Sequence, residues 1–294
     1  MFSEFKNAFQ RSNNAHLQLI IINVMVFLVV GVFSVVLTVS ENTGIFIIIH
    51  DQFSIPPKFV DFISRPWTII TYAFMHDLSG ILHILFNMLG LYWFGKLFIE
   101  YLGSDKLIAL YVLGALAGGI FYLMMFNTIP FFENNSNFSG MVGASAALFA
   151  IMVGASTLLP DYTFFLMFFG PVKIKYISFF YIVASFLGTV GSNAGGNLAH
   201  LGGALMGYIY IKQLQAGVNW GGWITATLNW FGGLFSSKPK VKVTYRKEEP
   251  VKKPKSPSKA SQEEIDVILD KISDRGYESL SKEEKDKLFN ASKK

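Results

Sequence analysis

Six apolar stretches follow one another between Leu17 and Lys212, and they restrict the chain to one class of fold. They run approximately Leu17–Val39, Ile81–Phe98, Leu107–Phe126, Gly143–Leu159, Tyr176–Val190 and Asn197–Lys212. A helix crosses the ~30 Å hydrocarbon layer with about 20 apolar residues. Inside lipid its backbone groups must all be satisfied internally. An all-α polytopic membrane protein with a six-helix transmembrane bundle is therefore expected over 17–214. Charged residues make up 15% of the chain, against about 25% in soluble domains, and the shortfall is concentrated in this part. The first stretch is too long for a signal-peptide core and lacks a small-residue cleavage site, so it reads as a retained span.

Lys and Arg placement orients the bundle. With the N-terminus inside, the inner segments carry Lys6, Arg11, Lys96, Lys106, Lys173, Lys175 and Lys212, and the outer ones only Lys58 and Arg65. The positive-inside bias places both termini in the cytoplasm. The second, fourth and sixth spans then all descend from the outer face. The connector from Ser40 to Leu78 is long and mixed, with Pro56, Pro57 and Arg65-Pro66-Trp67, and is expected to fold on or in the outer interface.

The flanks are different in kind. Residues 1–16 form a cytoplasmic N-terminal segment. Residues 215–237 hold Trp220, Trp223 and Trp230 and read as an interfacial segment. Residues 238–260, rich in Lys, Pro and Ser, read as a basic linker that can lie on anionic lipid heads. In 261–294 order returns as a small helical hairpin. Ser261 with Glu264 and Ser281 with Glu284 are capping boxes, Ile265, Ile268, Leu269 and Ile272 share a face, and Gly276 is a stop. Such a hairpin is too small to bury much core alone, so a cytoplasmic docking partner is expected. The formal charge of +5 comes mostly from the tail after Ser237, beside membrane spans and poor in aromatics, so no nucleic-acid partner is implied. The absence of Cys removes disulfides, thiol catalysis and thiolate metal sites.

Against this background a few polar side chains stand out. His83 and Asn87 project from one face of the second span. Ser145 opens the fourth among the small residues Gly143, Ala144, Ala146 and Ala147. His200 opens the sixth, with Gly203 and Gly207 forming a small-xxx-small face below it. Polar groups in spans are costly and are usually kept for a role. Taken singly, the serine is an ordinary packing residue, the histidine an ordinary carbonyl donor, and His83 with Asn87 an interhelical clamp. Taken together, at one depth on three descending helices, they suggest nucleophilic catalysis by a Ser–His pair.

The patterns His83-x-x-x-Asn87, Gly143-x-Ser145 and Ala199-His200-x-x-Gly203-x-x-x-Gly207, in this order on the second, fourth and sixth spans, resemble the rhomboid intramembrane serine proteases. The resemblance covers most of Leu17–Lys212. It implies Ser145 as nucleophile and His200 as general base, with no acidic third member. It implies an oxyanion hole from Asn87, His83 and the Ser145 N–H. It further implies Phe149 as an aromatic support under the catalytic imidazole and His76 as a polar residue at the mouth of the second span. Trp67 matches the Trp of a Trp-Arg pair, but Thr68 stands where Arg is common. The tail hairpin lies outside the shared core and resembles appendages on some bacterial members. The expectation is thus a serine endopeptidase of the cell (inner) membrane, cutting single-span transmembrane substrates near the outer face, with lipid as its other partner and no cofactor or metal. A metalloprotease would want His-Glu-x-x-His, and His83 to Asn87 offers neither the Glu nor a second His. The alternatives are a catalytically silent rhomboid-like binding protein, which should lack Ser145 or His200, and a polar-path transporter, which should show inverted repeats.

Overall fold

The computed structural model describes residues 13–133, 140–235 and 261–292; residues 1–12 of the N-terminal segment and the basic linker at 238–260 lie outside them. The chain divides into two compact units, Met1–Ser237 and Lys238–Lys294.

The first unit is a helical membrane bundle. Helices α1 (Ala15–Val39), α4 (Ile81–Leu102) and α5 (Ser104–Thr128) are, among the described residues, the three long and apolar enough to cross a membrane by themselves. Two shorter apolar helices follow, α6 (Ser145–Leu158) and α7 (Ile174–Leu187), the latter prolonged by a 3-10 turn at Gly188–Val190. The glycine-rich α8 (Ala194–Gln215) completes the six. In its most apolar window α5 is 61% buried and α1 only 11%, so α5 is the central post and α1 a peripheral one. Leu28, Val32, Phe33, Phe179 and Phe180 point outward and are exposed, as a lipid-facing surface requires.

Lipid is as apolar as leucine, so close packing rather than water exclusion holds such helices together. The contact of α6 with α8 shows how. A Cβ added at Gly203 would run into the carbonyl oxygen of Ala146, and one at Gly207 into that of Ala150. Interior hydroxyls and amides add bonds between elements. Asn23 on α1 donates its amide to Tyr111 Oη at 3.1 Å, and Tyr111 Oη donates to the Ala73 carbonyl at 2.7 Å.

The connector packs down as α2 (Thr43–Asp51), α3 (Phe59–Ser64), a helical turn at Thr68–Thr71 and a 3-10 turn at Tyr72–Phe74. Arg65 Nη1 donates to Asp51 O at 2.5 Å, Trp67 Nε1 to Gln52 O at 2.7 Å, and Thr71 Oγ1 to Phe53 O at 3.0 Å. Thr68 is buried and donates to Arg65 O at 2.7 Å, so its slot fits a small hydroxyl and not a guanidinium. The cation that reaches the connector here is Arg65, three residues earlier.

Between α6 and α7 the chain forms an antiparallel hairpin, β1 (Thr163–Leu166) and β2 (Gly170–Lys173), with Thr163 opposite Lys173. After α8, the Trp-rich segment is a helix, α9 (Gly222–Phe235). It buries Ile224 and exposes Trp223, Trp230 and Phe231.

The second unit contains α10 (Gln262–Arg275) and α11 (Lys282–Ala291), each opened by a complete capping box. Ile268 and Leu280 are buried; Leu269, expected on the shared apolar face, is exposed, because the short α11 covers only part of that face. Lys271 Nζ reaches Glu284 Oε1 at 2.9 Å, and Lys287 Nζ reaches Glu264 Oε1 at 3.2 Å.

Candidate active site

The loop entering α6 is held from two sides. Ile55 and Met141 exchange backbone hydrogen bonds at 3.0 and 2.9 Å, and Gly143 N donates to Tyr72 O at 2.9 Å. Tyr72 is itself fixed, its hydroxyl donating to Ala115 O on α5 at 2.7 Å. Gly143 has φ +135°, a conformation L side chains rarely adopt, and a Cβ there would lie 3.3 Å from His83 Cε1. Ser145 is the first residue of α6, where backbone N–H groups have no acceptor within the helix and the helix dipole favours negative charge.

On α8, the approach made possible by Gly203 and Gly207 brings His200 Nε2 to 2.7 Å from Ser145 Oγ. The imidazole lies flat on Phe149, one turn below Ser145, with ring centroids 4.2 Å apart and planes 11° from parallel. Its other nitrogen, Nδ1, is 3.1 Å from the hydroxyl of Ser185 on α7. With the proton on Nδ1, the ring donates to Ser185 and leaves the Nε2 lone pair for the Ser145 O–H. Ser185 was not singled out from the sequence. Its signal there is faint: Ser178 and Ser185, the buried hydroxyls of α7, are seven residues apart on one face.

On α4, Asn87 is buried and donates one amide hydrogen to the His83 carbonyl at 2.9 Å, leaving the second hydrogen for another acceptor. His83 is half-buried, and His76 packs edge-on against it with centroids 5.8 Å apart. Burial, with the neighbouring His83 second, pushes His76 down to about 4, so it is neutral at pH 7.

A cavity of about 340 Å³ has His83, Asn87, Ser145, Tyr181, Ser185 and His200 in its wall. Its α4 and α7 sides carry exposed Phe86 and Tyr181, so it borders the lipid-facing surface between those helices. A second, polar cavity of about 490 Å³ has Asp51, Asp77, Ser192 and Asn193 in its wall. The two share His83 and Asn193, so the Ser–His pair lies between an apolar flank and a polar vestibule. Trp67 is in the wall of neither; its bond to Gln52 O ties down the connector.

A family model described as "Rhomboid domain" matches residues 64–215, and one described as "Family of unknown function (DUF6576)" matches 256–294. The chain is 35% identical over 196 residues to the Arabidopsis thaliana protein "RHOMBOID-like protein 12, mitochondrial", covering 61% of this chain and 57% of that one. It is 30% identical over 159 residues to "Rhomboid protein 1, mitochondrial" of Saccharomyces cerevisiae, covering 51% and 42%. It is 29% identical over 166 residues to "Rhomboid-like protein 16, chloroplastic" of A. thaliana, covering 52% and 51%. The chain thus spans about half the length of these relatives, between 42% and 57%. Their names correct the expectation of a cell inner membrane with cytoplasmic termini, since they point to organellar membranes. A Lys and Arg bias tells the two sides of a membrane apart, but it does not tell one membrane from another.

Proposed function

This chain belongs to the rhomboid family, and on that premise we propose that it is an active intramembrane serine endopeptidase that cleaves transmembrane proteins with a Ser145–His200 dyad. The observation that carries the reading is the 2.7 Å contact between Ser145 Oγ and His200 Nε2.

An isolated serine hydroxyl is a poor nucleophile. His200 takes its proton as Oγ attacks the scissile carbonyl and returns it to the leaving amine, which departs as the acyl-enzyme forms. Ser185 accepts from Nδ1–H and keeps the ring in the basic tautomer, and Phe149 fixes its plane. The tetrahedral oxyanion develops beside the Ser145 N–H, the free amide hydrogen of Asn87 and His83. Fixed donors of this kind are worth about 10²–10³ in rate each. His76, neutral beside His83, places no cation there. A transmembrane segment enters from the lipid-facing side between α4 and α7. Water for deacylation comes through the polar vestibule shared at His83 and Asn193, and His200 activates it as it activated Ser145.

The test is labelling with a fluorophosphonate in detergent. The parent is expected to label, and Ser145→Ala and His200→Ala are each expected to abolish it while running as monodisperse protein. Labelling of Ser145→Ala at the parental rate, or no labelling of the folded parent, overturns the reading in favour of a silent, client-binding relative.

A further inference from the structure

The hairpin between α6 and α7 ends in a cluster that nothing in the described chain covers: Phe165, Met167, Phe168 and Phe169 are 83%, 89%, 87% and 79% exposed. We propose that this tip, residues 165–169, is inserted in the boundary between headgroups and acyl chains of the leaflet opposite Ser145, as a lipid mooring for the start of α7.

Three observations favour lipid as the occupant. The first is depth. The hairpin follows the end of α6 far from Ser145, yet its base is held against the side of the bundle. Phe164 packs edge-on against Phe94 of α4 with centroids 5.4 Å apart. Phe94 lies eight residues before Leu102, the end of α4, or about 12 Å along the helix at 1.5 Å per residue. The strand therefore runs beside the bundle at a level where its outer side meets the membrane.

The second is register. Burial along β1 alternates, with Phe164 and Leu166 turned inward and Thr163 and Phe165 outward. Phe165 is thus on the outward face of β1, Met167, Phe168 and Phe169 are exposed in the turn beyond it, and Tyr176, Phe179 and Phe180 of α7 are exposed too. Ile174 N donates to Tyr162 O at 2.8 Å, so the hairpin is fastened to the first turn of that helix.

The third is length and charge. With its 3-10 turn, α7 runs from Ile174 to Val190 and covers about 27 Å, still a little short of the ~30 Å of a hydrocarbon core. A hairpin partly sunk in the leaflet occupies the remaining depth. Its free strand edges still need water, which limits it to the interfacial zone. At its foot Asp161 accepts from Lys173 and Lys175 at 2.9 and 2.8 Å. This collar carries a net positive charge and suits anionic headgroups.

Because the chain has no cysteine, Phe168→Cys and Met167→Cys each create one site for an environment-sensitive fluorophore. Each variant, as the full chain, is reconstituted in phosphatidylcholine–phosphatidylglycerol vesicles, and helical content is checked against the parent. Lipids bearing a nitroxide near the glycerol are expected to quench both labels strongly. Aqueous iodide is expected to quench them several-fold less than the same fluorophore on glutathione. Iodide quenching equal to that of the glutathione conjugate would put the tip in water and overturn the proposal. Protection from both quenchers would mean that protein, such as a second copy, covers the tip, and would overturn it equally.

Discussion

His200 holds a hydroxyl on each ring nitrogen, and the two have different consequences. Ser145 at Nε2 is the proposed nucleophile, whereas Ser185 at Nδ1 acts only through the ring. Replacing Ser185 with Ala removes one hydrogen bond worth roughly 1–1.5 kcal/mol, which corresponds to about tenfold in rate. The expected result is kcat about tenfold down with KM little changed, for a transmembrane reporter in proteoliposomes, and recovery in Ser185→Thr. A change in KM alone, or no recovery with Thr, would make Ser185 a packing residue. The sequence exposed the candidates unevenly. Ser145 and His200 stood out because each opens an apolar stretch beside small residues. Ser185 sits inside one, where a serine looks like any other small side chain. Only the pairing of α7 with α8 gives it a partner.

The spacing of α6 and α8 depends on glycines that face backbone rather than side chains, and a carbonyl oxygen cannot swing aside as a flexible side chain can. Gly207→Val therefore forces the helices apart. Overpacking of this kind costs about 1–3 kcal/mol or more, and a lower unfolding midpoint in detergent is expected. Gly232→Val on α9, where nothing lies within 4 Å of the added Cβ, should leave the midpoint unchanged. The spans were legible because their length and apolarity repeat the membrane's own dimension. The β-hairpin was not, because Phe164 to Phe169 is an unbroken apolar run in which a two-residue period is invisible. The tail helices were legible from their capping boxes, and these also give them a pH response. Lys271, followed by the Ser281 N–H, holds Glu284 down to about 2, below the ordinary carboxylate value of 4.5. A depressed acid contributes stability that is full above its unfolded pKa and is lost as pH falls through the folded one. Amide-exchange protection across α11 should therefore decline between about pH 4.5 and 2. In Glu284→Gln it should start lower and respond less; an unchanged profile would remove this ion pair from the account.

At the scale of the molecule, the two units answer to different physics. The first is ordered by lipid and by close helix contacts, and it holds every residue of the proposed chemistry. The second unit contains, among its described residues 261–292, a short capped hairpin with ion pairs of its own, and a separate family model matches 256–294. Neither unit says which membrane it serves, since basic residues flanking spans encode a side and not an organelle. What they do permit is a separation of tasks. The proposed dyad, its aromatic support, its oxyanion donors and Ser185 behind the imidazole all come from α4, α6, α7 and α8, and none from the tail. A chain ending at Ser237 should accordingly label with fluorophosphonate in detergent at close to the parental rate, because no bond around His200 or Asn87 is removed. In cells the same truncation should change abundance or the set of proteins cleaved, if the exposed Leu269 and Phe289 of the hairpin meet a partner. The two readouts must be taken together on equal amounts of monodisperse protein. A truncated chain that is folded but unlabelled would make the tail part of the catalytic machinery. One that matches the parent in cells as well would leave the hairpin without the docking role expected of it.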